Sequence, residues 1–302
     1  MPRSTERAPI STNTPFVVSA DRAPARSSAR LGFVVPGLGL GLVLFALARG
    51  ADGLAVPHAL ATSALTPPLE TVKLDPPQLE EIVACTSDMA LVQRDDLRVC
   101  VDRYEASLVE VKPSGEEKPW SPYLSPPSTG AFKAVSKAGV VPQGYVSRNQ
   151  AEAACFAAGK RLCSASEWRV ACEGPEGTTF PYGDREEPRA CNTHGVDPLL
   201  RLFGGASTKG FWRRIEMNHP ALNQVPGTVA ATGAFGKCTN GFGVHDMVGN
   251  LHEWTSEKKG AFRGGYYRDT HENGPGCRYV TKAHAASYHD YSTGFRCCRD
   301  PE

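Results

Sequence analysis

Ten cysteines, running from Cys85 to Cys298, constrain this chain more than any other feature. No two of them form a Cys-x-x-Cys pair, which disfavours zinc ribbons and thioredoxin-type redox sites. An even number spread over most of the chain reads as a disulfide framework. Disulfides persist outside the reducing cytosol, so such a chain should carry an export signal.

It carries one. Residues 1–30 are polar and basic, with Arg3, Arg7, Arg22, Arg26 and Arg30 against Glu6 and Asp21. Leu31–Ala48 follows, an uncharged stretch of 18 residues bounded by Arg30 and Arg49. At about 1.5 Å per residue it can just span a hydrocarbon core, and the arginines before it hold that end in the cytoplasm. Two readings stay open, a retained signal anchor and a cleaved signal peptide with Ala46-Leu47-Ala48 as its processing site. The long basic lead favours the anchor. Residues 49–84 hold Pro57, Pro67, Pro68, Pro76 and Pro77 and read as an extended linker. The folded domain is expected over 85–302, outside the cytoplasm.

Composition narrows the class of that domain. With 30 Gly and 24 Pro the chain is rich in turns, against a helical bundle, and 12 Phe, 9 Tyr and 4 Trp argue against disorder. A formal charge of +1 leaves no electrostatic footprint for nucleic acid. Ser147-Arg148-Asn149-Gln150 and Ser164-Ala165-Ser166-Glu167 are capping boxes that predict two short helices. Ala151, Ala154, Cys155 and Ala158 share one face of the first; Trp168, Ala171 and Cys172 share one face of the second. Met89–Val92 and Arg98–Tyr104 read as strands around a turn at Asp95-Asp96, so Cys85 and Cys100 are expected to bond across a hairpin. Phe262–Tyr267 and Thr293–Cys298 are further strand candidates. The expected class is α+β, loop-rich and disulfide-stapled.

Taken in order, several segments resemble the formylglycine-generating enzyme family, also called the sulfatase-modifying factor domain. They are Val101–Glu105, Ala151–Trp168, Phe180-Pro181-Tyr182-Gly183, Asn192, Gly243–Trp254, Phe262-Arg263-Gly264-Gly265 and Gly294-Phe295-Arg296-Cys297. The resemblance implies a C-type-lectin-like fold with structural calcium. It also implies the pairings Cys155–Cys297 and Cys172–Cys277. Active enzymes of the family oxidise a substrate cysteine with oxygen, using two copper-binding cysteines placed after the Arg-Gly-Gly motif. Counted from Arg263, those places fall near Asp269 and Gly274, and neither is cysteine.

The resemblance further implies a calcium loop in which Asp246 and Glu253 give side-chain oxygens and Gly249 and Leu251 give carbonyls. Hard oxygen donors of this kind suit Ca²⁺. A second site would use Asn192 and the carbonyl of Thr193, but its acidic half is not recognisable. Arg263 and Arg296 are implied loop-tying residues. Five of the eight histidines lie between His245 and His289, and His271 and His284 with Asp269 offer candidates for a relocated copper or iron site. The plain alternative is scattered surface histidines. Tyr266, Tyr267, Tyr279, Tyr288 and Tyr291 suit a ligand surface or burial under loops.

The leading expectation is therefore a membrane-tethered envelope domain of this family that lacks the copper cysteines and binds a protein or glycan. One alternative is a metal-dependent oxidoreductase of the family with a histidine-based site. The other is a lectin-like module for carbohydrate or peptide.

Overall fold

A computed structural model describes residues 84–204 and 212–302. The basic lead, the apolar stretch and all of the linker but Ala84 lie outside the described residues. Among the described residues, no helix is long and apolar enough to cross a membrane.

The described chain opens with the expected hairpin. Strands β1 (Met89–Arg94) and β2 (Leu97–Asp102) pair antiparallel up to Arg94 opposite Leu97. The two-residue turn needs positive φ, and Asp95 supplies it at 53°. A second sheet follows, in which β3 (Ala106–Val111) lies between β4 (Glu117–Pro119) and β5 (Phe132–Ser136).

Helix α1 (Arg148–Ala157) begins at Ser147, whose hydroxyl and backbone N–H both engage Gln150 in a closed capping box. It buries Ala151, Ala154 and Cys155. After β6 (Arg161–Leu162), helix α2 (Ala165–Glu173) starts from Ser164 in the same way, with Glu167 closing the box, and buries Trp168, Ala171 and Cys172. Two shorter helices, α3 (Pro198–Phe203) and α4 (Arg214–Met217), sit in the long loop region beyond.

The last strands are β7 (His252–Trp254), β8 (Phe262–Arg263), β9 (Val280–Thr281), β10 (Thr293–Phe295) and β11 (Cys297–Arg299). The strand expected over Thr293–Cys298 is in fact two. β10 runs parallel to β7 in the sheet β10-β7-β8-β9, whereas β11 joins the sheet β1-β2-β11-β6. The chain changes sheets at Arg296, which is fully buried. The strand expected over Phe262–Tyr267 stops at Arg263, where Gly264 and Gly265 both turn to positive φ.

Five disulfides cross-link these elements: Cys85–Cys100, Cys155–Cys297, Cys163–Cys298, Cys172–Cys277 and Cys191–Cys238. The longest close loops of 142, 135 and 105 residues. In the chain-entropy view one such loop is worth about 5 kcal/mol. That compensates for short strands. Adjacent Cys297 and Cys298 point to opposite faces of β11, as successive strand residues do. One therefore reaches α1 and the other the segment just after β6.

Candidate functional site

Arg296 organises the interior where the sheets meet. Its Nε donates to Glu253 Oε2 and its Nη2 to Glu253 Oε1, each at 2.7 Å. The remaining N–H groups donate to the carbonyls of Asp102, Arg103 and His245. Trp168 from α2 donates its indole N–H to Glu253 at 2.7 Å. Glu105, fully buried, accepts from Asn250 Nδ2 at 2.5 Å and from the Leu251 backbone N–H at 3.1 Å. Asp246 accepts from the Gly233 N–H at 2.6 Å. The planar guanidinium fork can serve this many acceptors at once; a lysine could not.

The charges here do not balance, because Glu105, Asp246 and Glu253 gather around a single arginine. Burial, reinforced by Asp246 and Glu253, pushes the Glu105 carboxyl well above its ordinary value. Burial likewise raises Asp246, against the Gly233 N–H and Arg296. A hard dication fits this surplus of negative charge. Among the described residues no three His, Cys, Asp or Glu side chains form a metal-holding group, so an ion at this loop needs main-chain oxygens too. Gly249 is the residue this turn requires. Its φ is 79°, and a Cβ there would stand 2.2 Å from the Asn192 carbonyl oxygen. Both oxygens of Glu253, expected as calcium ligands, accept from Arg296 or Trp168.

Asn192 fastens the loop through its amide nitrogen and its main chain. Its side chain donates to Thr228 O and to Asn250 Oδ1, and its carbonyl accepts from the Asn250 N–H. It ties the loop down and meets no second acidic group. Arg263 makes one long contact, 3.4 Å to Glu257, so Arg296 carries nearly all of the loop-tying expected of the pair.

The positions counted for copper ligands are closed to that chemistry. Asp269 accepts from the Tyr279 hydroxyl at 2.7 Å and from the backbone N–H groups of His271 and Glu272. Although burial works to raise its carboxyl, those bonds hold it below the usual value. Gly274 sits at φ 109° with Arg278 O only 2.9 Å from where a Cβ would stand, so a cysteine would not fit without movement. Every one of the ten cysteines is in a disulfide, which leaves no thiolate for a soft metal.

His271, His284 and His289 do not converge. His271 is exposed, 3.2 Å from Glu186 and hydrogen-bonded to Thr270. His289 contacts Arg214 at 2.8 Å. His284 instead joins Asp269 along one open cavity of about 330 Å³, together with His252 and four of the five expected tyrosines, Tyr266, Tyr279, Tyr288 and Tyr291. Tyr267 lies beneath it, fully buried. Burial pushes His252 down to about 3 and lowers His284, so both imidazoles are neutral near pH 7. Three acidic residues of the cavity or cluster, Glu105, Glu272 and Asp290, escaped the sequence reading. Glu105 lies in a recognised motif but carries no spacing signal of its own. Asp290, which accepts from Tyr288 and Ser292, has no neighbouring motif at all.

Residues 92–301 match the domain described as sulfatase-modifying factor enzyme 1-like. Over 115 residues the chain is 31% identical to the formylglycine-generating enzyme of Mus musculus, a match covering 37% of this chain and 26% of that protein. Over 101 residues it is 36% identical to the formylglycine-generating enzyme of Mycobacterium tuberculosis, covering 33% and 27%. Over 164 residues it is 29% identical to the inactive C-alpha-formylglycine-generating enzyme 2 of Bos taurus, covering 51% and 48%. The chain thus spans between about a quarter and a half of the length of these relatives. Among solved structures it is similar to a Major Tropism Determinant U1 variant, with a TM-score of 0.40 and 15% identity over 72% of this chain and 53% of that one. CarF is similar at a TM-score of 0.39 and 16% identity, over 70% and 93%.

Proposed function

The chain belongs to the sulfatase-modifying factor (FGE-sulfatase) family, and on that premise we propose that it is a non-catalytic binding module with a lectin-like fold, held outside the cytoplasm by its N-terminal apolar segment. The observation that carries this reading is the pairing of all ten cysteines, with Asp269 and Gly274 where the copper ligands would be expected. Formylglycine formation needs a site that holds copper and activates oxygen, and no thiolate is left to build one. A family can keep its scaffold while its chemistry is lost. The matched relative called inactive in Bos taurus is consistent with that separation.

Calcium belongs to the same reading as a structural ion. Asp246 and the carbonyls of Gly249 and Leu251 would hold it, while Glu253 would supply balancing charge. Its role there is to neutralise buried carboxylates and to fix the loop over residues 246–253.

The test is direct. The full chain is incubated with a sulfatase-type cysteine peptide, copper or iron, oxygen and a reductant, and the peptide mass is measured. No conversion above a no-protein control is expected. Conversion that disappears in His271→Ala would overturn the reading in favour of a histidine-based oxidoreductase.

A further inference from the structure

We propose that the cavity between β8, β9 and the segment over residues 288–292 receives a small organic cation bearing an alkylated ammonium group. This rests on the reading of the domain as a binding module and names the class of ligand it takes.

Rings form nearly half of the wall. His252 stands 4.4 Å from Phe262, 4.9 Å from Tyr266 and 5.4 Å from Tyr279, centroid to centroid. Phe262 continues to His284 at 5.5 Å, and His284 stacks on Tyr288 at 3.9 Å. Electron-rich rings attract cations, and the attraction grows where water is excluded. Tyr279 and Tyr288 donate their hydroxyl protons to Asp269 and Asp290, which leaves both rings richer in electron density.

Charge points the same way. Asp269, Asp290 and Glu272 line this cavity, and its one arginine, Arg268, is already paired with Asp197 at 2.8 Å. Glu272 is exposed at the mouth and makes no ion pair among the described residues. The interior therefore favours a positive ligand.

The hydrogen bonds then select the kind of cation. Asp269 already accepts from Tyr279 and from two backbone N–H groups. Asp290 already accepts from Tyr288 and from both the N–H and hydroxyl of Ser292. Their oxygens offer charge but few open lone pairs. A primary ammonium needs carboxylate lone pairs for its N–H donors, and inside the cavity few are open; Thr281 Oγ1 and His252 Nδ1 are unpartnered there but carry no charge. An alkylated ammonium presents charge spread over methyl groups and needs none, which matches a wall of rings backed by carboxylates.

The experiment titrates the full chain with choline and, separately, with 3,3-dimethylbutan-1-ol, a neutral compound of the same shape, by ligand-observed NMR. Saturable binding of choline at least tenfold tighter than the alcohol is expected. Asp290→Asn should weaken choline at least fivefold and leave the alcohol unchanged. Glu272→Gln, at the exposed mouth, should weaken choline about twofold and keeps the test valid if the buried variant does not fold. Equal affinity for both compounds, no choline binding to the folded protein, or no effect of either charge removal in folded protein would overturn the inference. A soluble short-chain phosphatidylcholine, below its micelle concentration, separates the sources. Tighter binding than choline assigns a lipid headgroup, and weaker binding assigns a free small cation. Conversion of the cysteine peptide would sink the non-catalytic reading without altering a measured choline affinity. Absent choline binding with no conversion would sink only this inference.

Discussion

Arg296 and Glu253 are joined by two 2.7 Å hydrogen bonds with both side chains at most 1% exposed, and the join lies where the chain passes from one sheet to the next. The pair holds β7 against the break between β10 and β11. Arg296 also reaches the carbonyls of Asp102, Arg103 and His245, so one side chain fastens two further stretches of backbone.

Replacing that arginine should be severe. Arg296→Met keeps much of the volume but leaves Glu253 buried without its arginine. Breaking a buried pair in this way costs about 3–5 kcal/mol. Urea denaturation should show an unfolding free energy lower by that amount or no folded protein at all. A variant as stable as the parent would show that the pair is dispensable.

Calcium should stabilise the folded chain. An ion that binds only the native state contributes about 2.7 kcal/mol at a hundredfold excess over its dissociation constant. Thermal melts in calcium and in chelator should differ accordingly, and Asp246→Ala should abolish the difference with the disulfides intact. Identical melts of the parent protein would remove calcium from this loop.

Gly249 should tolerate no side chain. At φ 79°, with Asn192 O 2.2 Å from where a methyl group would stand, Gly249→Ala combines backbone strain with a clash against main chain. Strain alone is worth about 1–3 kcal/mol. Chemical denaturation in chelator isolates this loss from any effect on metal binding.

Thiol titration of the unfolded, unreduced chain should find no free cysteine. After reduction it should find ten. A thiol at Cys172 or Cys277 would reopen that pair as a reactive site and with it the possibility of metal chemistry.

The second capping box sets a pH dependence. Burial tends to raise Glu167, but Arg161 and the Ser164 N–H outweigh it and hold the carboxyl below its ordinary 4.5. A depressed folded value means the stabilisation is fully present above pH 4.5 and is lost as pH falls through the lower, folded value. Glu167→Gln should therefore cost about 1 kcal/mol at pH 7, the usual scale of a cap interaction. The cost should shrink as the solution is acidified below the unfolded value. A cost that stays constant down to pH 2 would mean the charge plays no part.

Local signals were legible in the residue order because they act within a few positions. The two capping boxes, the turn at Asp95-Asp96 and the inward faces carrying Cys155 and Cys172 each depend on neighbours along the chain. The small sheet of β3, β4 and β5 left no such trace. Its strands are separated by long turns, and β4 is wholly exposed, without the alternation that marks a half-buried strand.

By itself the sequence determined the disulfide-rich class, the helix starts and the absence of cysteine at Asp269 and Gly274, since composition and short-range spacing are written directly in the chain. Only the tertiary structure decided what the charged and aromatic residues do. Arg296 could not be read as a sheet-switching anchor until Glu253, Asp102 and His245 were brought to it from distant segments. Nor could Asp290 be seen to share a cavity with Asp269 and His252. Long-range convergence of this kind is set by how strands and loops pack, and packing depends on the whole chain at once.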